Sequence, residues 1–100
     1  MKNKLEVLQW AQEKRILAKS NPMKQGLKTL EEVTELLQAI QDNNADEVKD
    51  AYGDILVTII IGAEMSGMDI EDCLQSAYDV ISKRTGKMVN GTFVKDIIAL

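Results

Sequence analysis

Histidine is absent from the 100 residues of this chain, which removes most zinc sites, serine triads and imidazole acid–base schemes. The single cysteine, Cys73, rules out an intramolecular disulfide, and with no histidine to pair with it a Cys/His nucleophile is excluded as well. It is expected to be a small, half-buried residue. Only four residues are aromatic, and the net charge of −4 includes no basic stripe, which argues against DNA or RNA as a ligand. No run of about 18 uninterrupted apolar residues occurs, so no membrane partner is expected. The charged start Met1-Lys2-Asn3-Lys4 leads into an amphipathic stretch rather than an apolar signal segment, and the expected location is the cytoplasm. Whatever chemistry remains must run on carboxylates, metal-bound water, lysine and arginine.

The chain does have enough apolar residues, 45%, for one compact domain over residues 1–100. Leu5, Leu8, Ala11 and Ile16 give a first helical stripe ending near Lys19. Ser20 or Asn21 is placed to cap a second helix, with the only proline, Pro22, near its first position, where a missing donor costs nothing. Leu27, Leu30, Val33, Leu37 and Ile40 are the expected core-facing stripe of that helix. After a turn through Asp42-Asn43-Asn44, Asp46 is placed to cap a third helix, which from Val48 to Met65 is apolar on every side and so is expected to be central and buried. The β-branched run Val57-Thr58-Ile59-Ile60-Ile61 would also suit a strand, but the length of the flanking helical pattern decides for helix. A fourth helix runs from an acidic cap pair, Asp69 and Asp72, to about Lys83. The tail from Thr85 to Lys95 has turn signals at both glycines and is expected to be loop or a short hairpin-like excursion. An all-round apolar helix in so small a chain predicts a homodimer or homotetramer.

Charge is distributed unevenly. Between Lys28 and Asp54 there are eight acids against two bases, whereas residues 1–20 hold five bases against two acids. Glu31, Glu32 and Glu35 fall within about a third of a helical circumference, and Asp50 and Asp54 lie one turn apart. The first group alone suits a solvated acidic face. The second shares its stripe with Val57 and Ile61, so carboxylates run directly into a face that must be buried, and Glu47 lies on that face too. An unpartnered carboxylate there costs several kcal/mol or takes up a proton. A helical hairpin through Asn43-Asn44 brings the two acidic runs side by side. Oxygen-only ligation of this kind selects magnesium, manganese or calcium over zinc. Magnesium commonly completes its shell with substrate phosphate, which points to nucleotide phosphate chemistry.

At these residues the chain resembles the all-α nucleoside triphosphate pyrophosphohydrolases, in particular a short MazG-like branch. Glu31-Glu32-Val33-Thr34-Glu35 matches the family's Glu-Glu-x-x-Glu motif, and Gly53-Asp54-Ile55-Leu56 matches the core of its second acidic motif. Gln25-Gly26-Leu27-Lys28 and the tail from Lys83 to Lys95 extend the similarity. One position departs: the family's second motif is usually Glu-x-x-Asp, and the residue three before Asp54 is Ala51, with Asp50 the nearest carboxylate.

The resemblance implies an all-α, four-helix bundle-like domain with an irregular C-terminal tail. It also implies magnesium- or manganese-dependent hydrolysis of a (deoxy)nucleoside triphosphate to monophosphate and pyrophosphate, a nucleotide-pool housecleaning reaction. Glu32, Glu35, Asp50 and Asp54 would hold the metal, with Glu31, Glu32 and Glu35 as the catalytic group and Glu31 orienting or deprotonating water. Lys28, Lys83, Arg84 and Lys87 would meet the phosphates, unless they form a solvated basic helix end. Trp10 and Gln25 would border the base, unless Trp10 is simply a core aromatic. Two alternatives remain: a pyrophosphohydrolase for another nucleotide, as in the phosphoribosyl-ATP or dimeric dUTP enzymes, and a catalytically silent acidic helical interaction module.

Overall fold

The computed structural model describes residues 1–97. Contacts divide the chain into two compact units, Met1–Ile70 and the residues from Glu71 onward. The first is helical throughout: α1 (Lys4–Glu13), α2 (Ile16–Lys19), α3 (Pro22–Gln41) and α4 (Ala45–Met65). The second holds nearly all of α5 (Ile70–Ile81), then β1 (Gly86–Val89) and β2 (Thr92–Lys95). Among the described residues the protein is all-α apart from one hairpin.

Among the described residues five helices stand where four were expected, because the first breaks at Arg15, whose φ of 64° is left-handed. Pro22 opens α3 as its sequence position predicts, and the Asn21 side chain accepts the Lys24 amide at 2.9 Å. Asn44 caps α4 by accepting the Glu47 amide. The expected cap, Asp46, instead sits with Glu47 in the first turn, where negative charge favours the positive end of the helix dipole. The tail is more regular than expected: β1 and β2 pair antiparallel through Asn90-Gly91, whose φ values of 50° and 82° suit a two-residue type I′ turn.

A Cβ added at Gly86 would collide with the Val94 carbonyl oxygen and would lie 2.6 Å from Phe93 Cζ and 2.9 Å from Lys95 Cα. Gly86→Ala is thus expected to destabilise the hairpin by about 1–3 kcal/mol. Hydrogen exchange at its paired amides should accelerate by tenfold or more, with the amides of α3 and α4 unaffected.

The core of the first unit is small, comprising Ala11, Leu36, Ala39, Ala51, Ile60 and Ile61 together with Gln25, Glu32 and Thr58. Helix α3 packs chiefly on α4, and α1 also packs on α4. The face that α3 turns inward is not the leucine stripe that hydropathy selects. Gln25, Glu32, Leu36 and Ala39 are buried, while Leu27, Leu30, Leu37 and Ile40 are exposed and Val33 is half-buried. At about 100° per residue these two faces are nearly opposite. The physical reason is size and bonding: Ala39 and Ala51 are small, and Gln25 and Thr29 hydrogen-bond to Thr58 across the contact. Thr58 Oγ1 donates to the Ile55 carbonyl at 2.7 Å and accepts from Thr29 Oγ1 at 2.9 Å. Helix α4 is uncovered in its first half, where Tyr52 and Leu56 are half exposed, whereas from Val57 to Ala63 every residue is buried or half-buried.

Candidate functional site

The three-residue connection after Gln41 folds α3 and α4 into a hairpin, and the two acidic runs meet as their spacing predicts. Glu35 from α3 and Glu47, Asp50 and Asp54 from α4 line one cleft of about 340 Å³, with Gln38, Ala39 and Ala51 completing its wall. Glu47 therefore joins the expected Glu35, Asp50 and Asp54. Its spacing to Asp50 and Asp54, three and seven residues, keeps all three on one stripe of α4. Ala51, which occupies the departing motif position, is 5% exposed and forms part of the cleft wall.

Glu32 does not line this cleft; it is 8% exposed, and its Oε2 is buried without a hydrogen-bond partner. Lys28 is the nearest counter-charge, its Nζ lying 3.3 Å from Glu31 Oε1 and 3.5 Å from Glu32 Oε1. The hydrogen bond to Glu31, with the charges of both acids, holds the Lys28 ammonium above its ordinary pKa. One half-exposed lysine shared between two carboxylates leaves the rest of the cluster uncompensated. Consistent with that deficit, the neighbouring Glu32 carboxyl raises the Glu35 carboxyl above its ordinary pKa. Leaving a charged buried oxygen unbonded costs about 1–3 kcal/mol or more.

Among the described residues no three carboxylates are gathered closely enough to enclose an ion, so the cleft is open rather than a finished cage. Its chemistry nevertheless fits a hard cation: the charged donors are all oxygens, and they come from both helices.

Asp54 also borders two further cavities. One, of about 420 Å³, is lined by Trp10, Val57 and residues of the first helical turn. The other, of about 260 Å³, brings Trp10, Gln25, Lys28 and Glu32 to a common wall with Asp54 and Thr58. Trp10 is 46% exposed, so it is not a core aromatic. Glu31 is exposed and is engaged with Lys28. Lys83 and Arg84 belong to the second unit, where with Lys95 and Asp96 they line a cavity of about 480 Å³. Lys87 lies on β1, opposite Val94. Sequence reasoning noted Glu47 on the acidic face without placing it among the site residues, and its i, i+3, i+7 spacing with Asp50 and Asp54 was the available signal.

A family model described as MazG nucleotide pyrophosphohydrolase domain matches residues 21–89. An uncharacterized 18.2 kDa protein from the rep-hol intergenic region of Haemophilus phage HP1 is 36% identical over 61 residues, which is 61% of this chain and 37% of that protein. The match thus spans well under half of the relative's length. No solved structure matches.

Proposed function

The chain belongs to the MazG nucleotide pyrophosphohydrolase domain family, and from that premise we propose that it hydrolyses a (deoxy)nucleoside triphosphate between the α- and β-phosphates, releasing monophosphate and pyrophosphate with magnesium. The observation that carries this reading is the α3–α4 cleft, with Glu35, Glu47, Asp50 and Asp54 on one wall or the other, and Asp54 shared with the cavity that holds the unpartnered Glu32 carboxylate. A bound magnesium or manganese ion would supply charge neutralisation at the phosphates and an acidified water.

The chain's own residues do the rest. Glu32, Glu35, Asp50 and Asp54 are the proposed cation ligands, and Glu47 is a fifth donor on the same wall. Glu31, Glu32 and Glu35 are the proposed catalytic group, with Glu31 accepting the proton of the attacking water. Lys28 holds Glu31 and Glu32 in place at the edge of the site. Arg84, with Lys83 and Lys87, has the donor chemistry for a phosphate tail, the guanidinium being suited to bidentate contact. The proposal treats residues 1–100 as one functional domain acting in the cytoplasm, without nucleic-acid or membrane partners. No described helix is long and apolar enough to cross a membrane.

The deciding experiment is a screen of nucleoside triphosphates with magnesium that measures pyrophosphate against orthophosphate. Pyrophosphate from at least one triphosphate is expected. None from any triphosphate would favour a catalytically silent interaction module.

Metal binding should also be visible in stability. Relieving repulsion among closely spaced acids favours the state that gathers them, and a ligand at a hundred times its Kd adds about 2.7 kcal/mol. Millimolar magnesium is therefore expected to raise the melting midpoint by several degrees over a chelated sample. Identical midpoints would remove the cation site.

A further inference from the structure

The two oxygens of Glu32 have different surroundings. Oε1 lies 3.5 Å from the Lys28 ammonium, whereas Oε2 is buried with no hydrogen-bond partner. The same ammonium lies 3.3 Å from Glu31 Oε1, so one positive charge is stretched between two carboxylates. A fully formed hydrogen bond between ammonium and carboxylate closes to about 2.7–2.9 Å. Neither contact is that short, and Lys28 saturates neither acid.

Spacing along α3 produces this arrangement. Lys28, Glu32 and Glu35 stand at i, i+4 and i+7 on one stripe, and Glu31 flanks it. Lys28 also borders the cavity of about 260 Å³ that Glu32 and Asp54 line, and Asp54 in turn lines the acidic cleft with Glu35, Glu47 and Asp50. The ammonium therefore sits beside a cavity to which α3 and α4 each contribute a carboxylate. The Lys28 side chain is 50% exposed and can turn into water at little cost, whereas the Glu32 side chain, at 11%, has no such outlet.

We propose that Lys28 is a tethered competitor of the divalent cation: its ammonium neutralises Glu31 and Glu32, and an ion that binds takes Glu32 from it and turns it out to solvent. The inference rests on the cation reading above and adds what sets the affinity of that site. Magnesium carries twice the charge and approaches carboxylate oxygens to about 2.0–2.1 Å, so it displaces an ammonium held at 3.5 Å. A monovalent ion has no advantage in charge over a competitor anchored beside the site. The tethered charge thus weakens binding of every cation and leaves the divalent ones able to enter.

The experiment uses Mn2+ as the probe, read by the electron paramagnetic resonance signal of the free ion, on the full chain without nucleotide. The parent is compared with Lys28→Met, which removes the charge, with Lys28→Arg, which keeps it, and with Lys24→Met, at an exposed lysine one turn earlier on α3. Lys28→Met is expected to bind Mn2+ about tenfold tighter than the parent. In chelator it should melt at a lower temperature, because Glu32 has lost its counter-charge. Lys28→Arg and Lys24→Met are expected to stay within about twofold of the parent. Unchanged or weaker binding by folded Lys28→Met overturns the proposal even if its melting temperature falls, since Lys28 then supports only the fold. Equal tightening in Lys24→Met overturns it too, because net charge alone accounts for the effect. If Lys28→Met does not fold, the parent decides: an amine-acetylating reagent, followed by peptide mass spectrometry, is expected to modify Lys28 several times faster with Mn2+ than with chelator, and equal rates overturn the competition. No Mn2+ binding by the parent removes the cation site and this inference with it, whereas binding that ignores Lys28 removes the inference alone.

Discussion

Asp50→Asn and Asp54→Asn are each expected to lower magnesium-dependent pyrophosphate release by about a hundredfold or more, with the helical fold retained. Both side chains face the cleft that α4 forms with Glu35 of α3, and each substitution removes a charge while leaving side-chain size nearly unchanged. A hundredfold loss corresponds to about 2.7 kcal/mol of transition-state stabilisation, an ordinary consequence of losing one anionic ligand from a cation site. Glu35→Gln should behave in the same way. Without metal, all three variants should be as stable as the parent or more so, because each relieves repulsion among acids for which Lys28 is the close cation among the described residues. Glu47→Gln decides the remaining position. If it abolishes release while Asp50→Asn keeps parental activity, the ligand lies one turn earlier on α4. Pyrophosphate release undiminished in all of these variants would rule out the cleft as the reaction site. Ala51→Glu, which restores the more common family spacing, should retain metal binding. It also puts a longer side chain at a 5% exposed position in the α3–α4 contact, with a packing cost of about 1–3 kcal/mol.

Sedimentation at micromolar concentration is expected to show more than one chain, and Leu30→Glu combined with Leu37→Glu is expected to yield monomer. Met23, Leu27, Leu30 and Leu37 recur at the alternating four- and three-residue steps of a heptad seam, interrupted at Thr34, on the side of α3 turned away from α4. Each is more than half exposed in the single chain. Burying one such side chain contributes roughly 1.5–3 kcal/mol, and in a two-fold pairing each counts twice, for about 12–24 kcal/mol gross. Association costs about 4–15 kcal/mol, so the seam has a margin for a stable pair. Four buried glutamates per dimer would exceed it. Tyr52 and Leu56 on α4, and Leu74, Tyr78 and Ile81 on α5, are further uncovered apolar positions that such an assembly can use. A parent that sediments as a clean monomer would mean that these faces are tolerated in water.

The elements were largely legible from residue pattern because helix periodicity and caps are local. Pro22 with Asn21 announced α3, and the length of the apolar run around Ile59 correctly outweighed its β-branched content. The break at Arg15 was not legible, since nothing about an arginine announces a left-handed conformation. The meeting of the two acidic runs followed from the short turn between their helices. The direction in which α3 faces did not follow, because hydropathy ranks Leu27, Leu30 and Leu37 above Gln25, Thr29 and Ala39 and cannot say whether the apolar side is meant for the same chain or another. The hydrogen bonds that make the polar stripe the inward one, from Thr29 to Thr58 and from Gln25 to the Thr58 carbonyl, depend on two helices being aligned, information no single segment contains.

That orientation gives α3 two duties on opposite sides of one rod. The side bearing Glu32 and Glu35 forms part of the acidic site, and the side bearing Leu27, Leu30 and Leu37 lies bare in a lone chain. A helix cannot shift one of its sides and keep the other still. Pairing along the leucines would therefore steady the carboxylates behind them, and dilution below the pairing threshold would loosen both together. If the chain pairs along these leucines and hydrolyses nucleotides as proposed, its specific activity should rise with protein concentration.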